Sequence, residues 1–269
     1  MREPPILRFE KVTVAYDNVP AIDCLDLEIP PGESRIILGA AGSGKTVLLK
    51  TALGLIRPDS GRVLLFGEDI SRMREQDLYD LRARAGILFQ EGGLFDSLTI
   101  EDNVAYPLRN QRRQRRPPET EILERVEETL SFVGLEHTLE KFPSELSGGM
   151  RRRVGIARAV VTEPALVLYD SPTAGLDPIT ANTIIALLIK ERDVKKTTTV
   201  MATHRYQDGQ LLANFRYNPS SGELEPARSG ANLDGNRFLV LKDGRLVFDG
   251  TQAELEASND SYVSKFVMR

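Results

Sequence analysis

The sequence predicts an α/β fold: a mainly parallel sheet, an antiparallel β subdomain and an α-helical subdomain inserted into the chain. Three observations predict it. A short apolar strand over residues 35–38 runs into a glycine-rich loop and then a helical run. Strand signals return at 165–169 and 197–203 with a helical pattern between them, and strand–helix–strand order favours parallel pairing. Between these two blocks, residues 91–156 change character and read mainly as helix.

Taken in order, residues 6–16 and 22–30 alternate apolar and polar as half-buried strands do, with a turn near Asp17, Asn18, Val19 and Pro20. Residues 46–53 continue the glycine-rich loop as a helix, 61–67 read as a strand and 75–83 as a short helix. In the inserted segment Ile122, Val126, Leu130 and Val133 fall on one face of a helix over 119–133. Residues 150–160 and 179–192 form two more helices. Asp243 and Gly244, set between strands at 237–242 and 245–249, are a two-residue hairpin signal. Thr251 and Glu254 then form a capping box that opens a final helix. The polar stretch between His204 and Arg237, with a turn at 219–222, reads either as a tolerated insertion or as a segment that binds a regulatory partner or the opposite subunit. The domain assignment is therefore 1–90 with 157–269 for the core, its antiparallel subdomain and the last hairpin and helix, and 91–156 for the helical subdomain.

Composition narrows the function classes. The chain of 269 residues has a net charge of -4, which disfavours nucleic acid as the main partner. Cys24 is the only cysteine, so neither a disulfide framework nor a cysteine-based metal site is expected. The first residues lack the apolar core of a signal peptide. No run approaches the roughly 18 apolar residues of a spanning helix. The expectation is a cytoplasmic protein that contacts a membrane only through a partner.

The chemistry starts at Gly39, Ala40, Ala41, Gly42, Ser43, Gly44, Lys45 and Thr46, which match the phosphate-binding pattern G-x-x-x-x-G-K-[ST] between a strand and a helix. Small residues let backbone amides close around phosphate oxygens, and the following helix N-terminus, with Val47 in its first turn, adds partial positive charge. Lys45 reaches the outer phosphates and Thr46 supplies a hydroxyl to Mg²⁺. Residues 166–170 form an apolar strand ending in Asp170, the carboxylate expected opposite this loop on the same Mg²⁺. Ser147, Gly148 and Gly149 precede a helix, a serine cap with two glycines that free amides for an anion.

With that order of motifs, the sequence resembles the ATPase subunits of ABC transporters. The resemblance covers residues 6–204 and resumes at 237–255. It implies that Tyr16 stacks on adenine, that Gln90 senses Mg²⁺ and joins the core to the helical insertion, and that His204 is the switch histidine. It implies that Ser147, Gly148 and Gly149 grip the γ-phosphate of ATP held by a second ATPase subunit, and that the loop ending in Asp177 crosses the interface between them. ATP and Mg²⁺ are the implied ligands. The implied partners are transmembrane permease subunits and a second ATPase subunit, a copy of this chain or a different one. The implied location is peripheral, on the cytoplasmic face of the inner membrane.

Residues 88–95, 102–108 and 146–153, with Met150, look like the ATPases of Mce/Mla-type phospholipid transport systems, and Asp177, Pro178, Ile179 and Thr180 fit the same group. A permease helix is implied to dock around residues 95–108, an apolar region with few charges. Soluble relatives in chromosome maintenance, DNA repair or translation carry long coiled-coil insertions, cysteine zinc modules or two cassettes, and this sequence shows none of these.

One position departs from the family. Ser171 stands where a glutamate polarises the attacking water, and serine is not a general base near neutral pH. Three readings follow: slow hydrolysis; water oriented by His204, Glu91 or Asp177 instead; or pairing with a subunit that bears the glutamate. Five arginines between 109 and 116 read as a solvated loop or as a contact for anionic headgroups near the bilayer, and His137 as a surface histidine.

Overall fold

Strands covered on both faces are built around apolar side chains, and three segments, each with an apolar centre, are buried at every position. In the computed structural model, which describes residues 4–90, 92–111, 116–227 and 235–267, these three become the centre of a six-stranded sheet. The elements, in chain order, are β1 (Leu7–Tyr16), β2 (Val19–Ile29), β3 (Ser34–Leu38), α1 (Lys45–Ala52), β4 (Ser60–Leu65), β5 (Glu68–Asp69), α2 (Glu75–Arg82), β6 (Ala85–Leu88), α3 (Ile100–Arg109) and α4 (Glu119–Phe132). They continue with α5 (Gly148–Val160), β7 (Leu166–Asp170), α6 (Pro178–Lys195), β8 (Thr198–Thr203), α7 (Tyr206–Asn214), β9 (Phe215–Asn218), β10 (Glu223–Pro226), β11 (Asn236–Lys242), β12 (Arg245–Gly250), α8 (Gln252–Glu256) and α9 (Ser264–Val267).

The large sheet runs β12-β11-β3-β8-β7-β6, and every pairing in it is parallel except β11 with β12. Strand periodicity sorts its side chains into two cores. Ile36, Leu38, Val167, Tyr169, Met201, Phe238 and Val240 face the helices α3 to α7. Ile37, Leu166, Leu168, Val200, Ala202, Leu239 and Leu241 face α1, α2 and a separate antiparallel sheet of order β2-β1-β4-β5. The helical segment does not bury a core of its own. Ile122, Val126 and Leu130 of α4 belong to the same cluster as the sheet residues, and α5 runs through residue 156 without a break.

Two expectations change here. β6, an edge strand of four residues, lies in no expected strand because its alternation is too short to read. The stretch after His204 is not a mere insertion. α7 places Tyr206, Leu212 and Ala213 in the core before the chain reaches the β9–β10 hairpin, whose turn falls at the expected Pro219, Ser220, Ser221 and Gly222. Among the described residues, no helix is long and apolar enough to cross a membrane.

One buried acid stands out below the sheet. Glu191, on α6, is 1% exposed; it accepts from Thr197 Oγ1 (2.7 Å) and Tyr169 Oη (3.4 Å), while its Oε1 meets no hydrogen-bond donor among the described residues. Burial pushes its carboxyl up to about 7. The folded state therefore holds a proton that the unfolded chain releases near its ordinary value. The resulting stabilisation is fully present at and below about pH 4.5 and is lost as the pH rises to about 7. Denaturant unfolding of the wild type against Glu191→Gln across this window is expected to show a relative loss of about 3 kcal/mol for the wild type. A pH-independent difference would mean that Glu191 stays ionised in the fold.

Candidate functional site

The glycine-rich loop leaves β3 and enters α1 through Gly44, whose φ of 102° lies in the left-handed region. A Cβ there would meet the carbonyl oxygen of Ala21 at 2.2 Å, so only glycine fits. No side chain caps α1, which leaves its first amides open to a ligand. Lys45 is nearly buried and folds back onto its own loop, donating from Nζ to Gly39 O (2.8 Å), Ala40 O (2.8 Å) and Ser43 Oγ (3.3 Å). Burial lowers its pKa, and the charge of Asp170 opposes that shift. An ammonium group held against carbonyls in this way is poised to meet an anion.

Asp170, at the end of β7, is clasped by two hydroxyls. Thr46 Oγ1 donates to its Oδ2 (2.7 Å) and Ser171 Oγ to its Oδ1 (3.2 Å). A hydroxyl and a carboxylate this close are hard oxygen donors of the kind Mg²⁺ uses when it keeps several waters and takes few protein ligands. The residues present therefore fit Mg²⁺.

A cavity of about 500 Å³ opens over this pair. It is lined by Ala40, Gly42, Lys45 and Thr46 of the loop, by Gln90 after β6, by Ser171 and Ala174 after β7, and by His204 after β8. Four segments that are distant in sequence thus converge. Ser171 has a φ of 50°, fixed by its amide's bond to Ala202 O (2.8 Å), and its hydroxyl is turned to Asp170.

Other candidates lie elsewhere. Ser147, Gly148 and Gly149 line a different cavity, of about 530 Å³, together with Gly175, Leu176, Asp177 and Thr180. Ser147 Oγ caps α5 by accepting from Met150 N (3.3 Å). A Cβ on Gly149 would strike Thr180 Cγ2 at 2.6 Å, so glycine is what lets α5 and α6 approach here. Asp177 caps α6, accepting from Ile179 N (3.1 Å) and Thr180 N (3.0 Å), and these Thr180 contacts hold its carboxyl below the usual range. It faces the second cavity, so the structure does not bring it to Ser171 as a water-orienting group. Tyr16 is half exposed at the β1–β2 hairpin and outside the lining of the first cavity. Val47 lies in the first turn of α1. Glu91 and residues 112–115 of the arginine run lie outside the described residues.

Sequence reasoning missed the residues that join these pieces. Arg152, buried on α5, donates to the carbonyls of Phe89 (3.2 Å), Gln90 and Ala174 (3.3 Å), linking the helix behind Ser147 to two loops of the first cavity. Asp208 on α7 accepts from Thr173 and from Thr203 (3.2 Å), tying the loop after β7 to the strand before His204. A buried arginine in a run of three and an acid in a polar stretch gave no periodic signal. A third cavity, of about 350 Å³, is lined by Phe89, Phe95, Tyr106, Pro107, Arg82 and Arg158 among others. The expected apolar docking region is thus flanked by two arginines, and buried Asn103 pins its loop by bonds to the N and O atoms of Phe95.

Comparison with known proteins places this geometry in context. The pattern of the ABC transporter family matches residues 22–174. The chain is 42% identical over 178 residues to a probable ribonucleotide transport ATP-binding protein of Mycobacterium leprae, covering 66% of this chain and 50% of that protein. It is 36% identical to the methionine import ATP-binding protein MetN of Mesorhizobium japonicum, over 98% of this chain and 65% of the relative. Against the intermembrane phospholipid transport ATP-binding protein MlaF of Haemophilus influenzae it is 33% identical, over 94% of this chain and 84% of the relative. The chain therefore spans about half the length of the mycobacterial relative. Among solved structures, the dimeric cassette MJ0796 with ADP and Pi aligns at a TM-score of 0.76 and 29% identity, covering 91% of this chain and 98% of that one. The cbiO1 protein of Clostridium perfringens aligns at 0.77 and 30%, covering 99% and 94%.

Removing the Arg152 guanidinium takes a donor from the carbonyls of Gln90 and Ala174, while Phe89 O keeps its bond from Gly92 N (2.8 Å). Arg152→Ala is expected to cost about 2–4 kcal/mol in urea unfolding, since unpaired buried polar groups keep their full desolvation penalty. An unchanged midpoint would show that other donors satisfy these carbonyls.

Proposed function

The chain belongs to the ABC transporter family, and from that premise we propose that it is an ATP-binding, ATP-hydrolysing subunit that drives a membrane permease. The observation that carries this reading is the Thr46–Asp170 contact beside Lys45, in a cavity that also holds Gln90, Ser171 and His204. Lys45 exchanges its loop carbonyls for phosphate oxygens, and the uncapped amides at the start of α1 take the rest. Thr46 and Asp170 would hold Mg²⁺, with Gln90 in the same cavity; the ion supplies charge neutralisation to the outer phosphates. Gln90 and His204 orient the water, while Ser171, whose hydroxyl donates to Asp170, accepts no proton. Turnover is accordingly slow.

The cavity at Ser147 and Asp177 serves a second ATPase subunit in this reading. Donors are needed on more than one side of a γ-phosphate, and the loop of one chain covers a single side. A second copy, paired head-to-tail, presents Ser147, Gly148 and Gly149 to the nucleotide held by the first. ATP then joins the copies and hydrolysis parts them, a change that a permease helix seated among Phe95, Tyr106 and Arg158 can follow. The subunit works on the cytoplasmic face of the inner membrane through that permease.

For cargo we favour phospholipid. The support is the similarity to MlaF over 94% of this chain and 84% of that protein, and the segments around residues 88–95, 102–108 and 146–153. Solute import is the second reading, favoured by methionine-import relatives that match nearly the whole chain.

Steady-state phosphate release tests the chemistry. Ser171→Glu places a carboxylate in the cavity at a backbone φ the wild type already tolerates. It is expected to raise turnover by about 10²-fold or more, the about 10²–10⁴-fold range of a positioned base. Lys45→Ala is expected to fall to background. A wild-type rate equal to that of Ser171→Glu would discard the missing-base account. Mass spectrometry of the copurified transporter checks cargo: bound phospholipid is expected, and a bound amino acid in its place would favour import.

A further inference from the structure

The first cavity has a wall that none of the motifs supplies. After α8, Asp260 Oδ1 accepts from Tyr262 N (2.8 Å) and Val263 N (2.9 Å), turning the chain, and Val263 is buried in the core cluster with Leu255, Tyr206 and Phe238. This anchor sets the following residues against the glycine-rich loop. The Tyr262 hydroxyl donates to Leu241 O (3.3 Å) and accepts from Ala40 N (3.3 Å), an amide of the loop itself. Phe266 meets the Tyr262 ring edge-on at 5.4 Å, and Lys242 Nζ stands 5.1 Å over the same ring. Tyr262, Lys265 and Phe266 then line the cavity together with Ala40, Ala41, Gly42 and Lys45.

Lys265 is the consequential member. Its side chain is exposed, and it takes part in none of the ion pairs found among the described residues. The described lining thus carries two ammonium groups, Lys45 and Lys265, and no carboxylate. Such a wall attracts a polyanion. The remaining lining residues, Gln90, Ser171 and His204, mark the end of the cavity where the reacting phosphate sits under the reading above. We propose that Lys265 is a phosphate-binding cation of this site, contributed by the same chain and acting on the terminal phosphate of ATP. Because ADP lacks that phosphate, Lys265 separates the two nucleotides. The inference rests on the nucleotide reading of the cavity.

Equilibrium displacement of a fluorescent ATP analogue by unlabelled ATP or ADP tests it on the full chain at low salt. Lys265→Ala is expected to weaken ATP by about three- to tenfold and ADP by less than about twofold, in line with a single solvent-exposed ionic contact. Lys265→Arg is expected to restore most of the ATP affinity. Unchanged or tighter ATP binding by Lys265→Ala, or an equal loss for ATP and ADP, overturns the assignment. Lys45→Ala separates the two levels of the argument. Loss of binding in Lys45→Ala beside unchanged binding in Lys265→Ala rejects the Lys265 role alone. A wild type that binds neither nucleotide, or a Lys45→Ala variant that binds like wild type, rejects the nucleotide site itself.

Discussion

Parallel pairing of β3, β8, β7 and β6 is the constraint on which the rest of the structure depends. Parallel strands release their following loops at one common edge, and ligands of open α/β sheets sit at that edge. The glycine-rich loop, Gln90, Asp170–Ser171 and His204 each follow one of these strands. Their meeting over one cavity is a consequence of strand direction. Thr46 reaches Asp170 across 124 positions of sequence because β8 alone separates their strands. The sheet holds this arrangement because both faces are buried, so a register slip would move Ile36, Ile37 and their neighbours into the wrong core.

Two cavities on one chain raise the question of what connects them. The shortest covalent route is the β7–α6 loop, which contributes Ser171 and Ala174 to one cavity and Gly175 to Asp177 to the other. Arg152 reinforces it from α5, where a single guanidinium holds Gln90 and Ala174. Asp208 does the same from α7 through Thr173 and Thr203. Movement of α5 relative to the sheet would therefore be felt at Gln90, and the converse holds. A charged group buried for this purpose costs desolvation, which is tolerable because its Nη1 and Nη2 both find carbonyls.

Electrostatics around β7 separates a wet, cationic side from a dry, acidic one. Above the strand, Asp170 is held by two hydroxyls and opposed by Lys45. Below it, Tyr169 and Glu191 share a proton-rich contact in which burial raises both groups above their ordinary values. The two environments lie one residue apart because successive side chains of a strand point to opposite faces.

Much of this was legible in sequence. Local signals located the phosphate loop, the apolar run into Asp170, the serine cap of α5 and the capping box at Thr251, because each is written in contiguous residues with a fixed spacing. The hairpin at Asp243–Gly244 is of the same kind. β6 was too short to show a period, and α7 was hidden in a polar stretch whose apolar residues are few. Spatial relations were a different matter. That Asp177 shares a cavity with Ser147, that Arg152 bridges two loops, and that Lys265 shares a cavity with Lys45 depend on contacts between residues far apart in the chain. The sequence by itself determined the elements and the chemistry each can offer, since propensity, capping and backbone geometry are local. Only the tertiary structure decided which of those groups face one another, because distance between them is set by sheet order and helix packing, to which no local pattern refers.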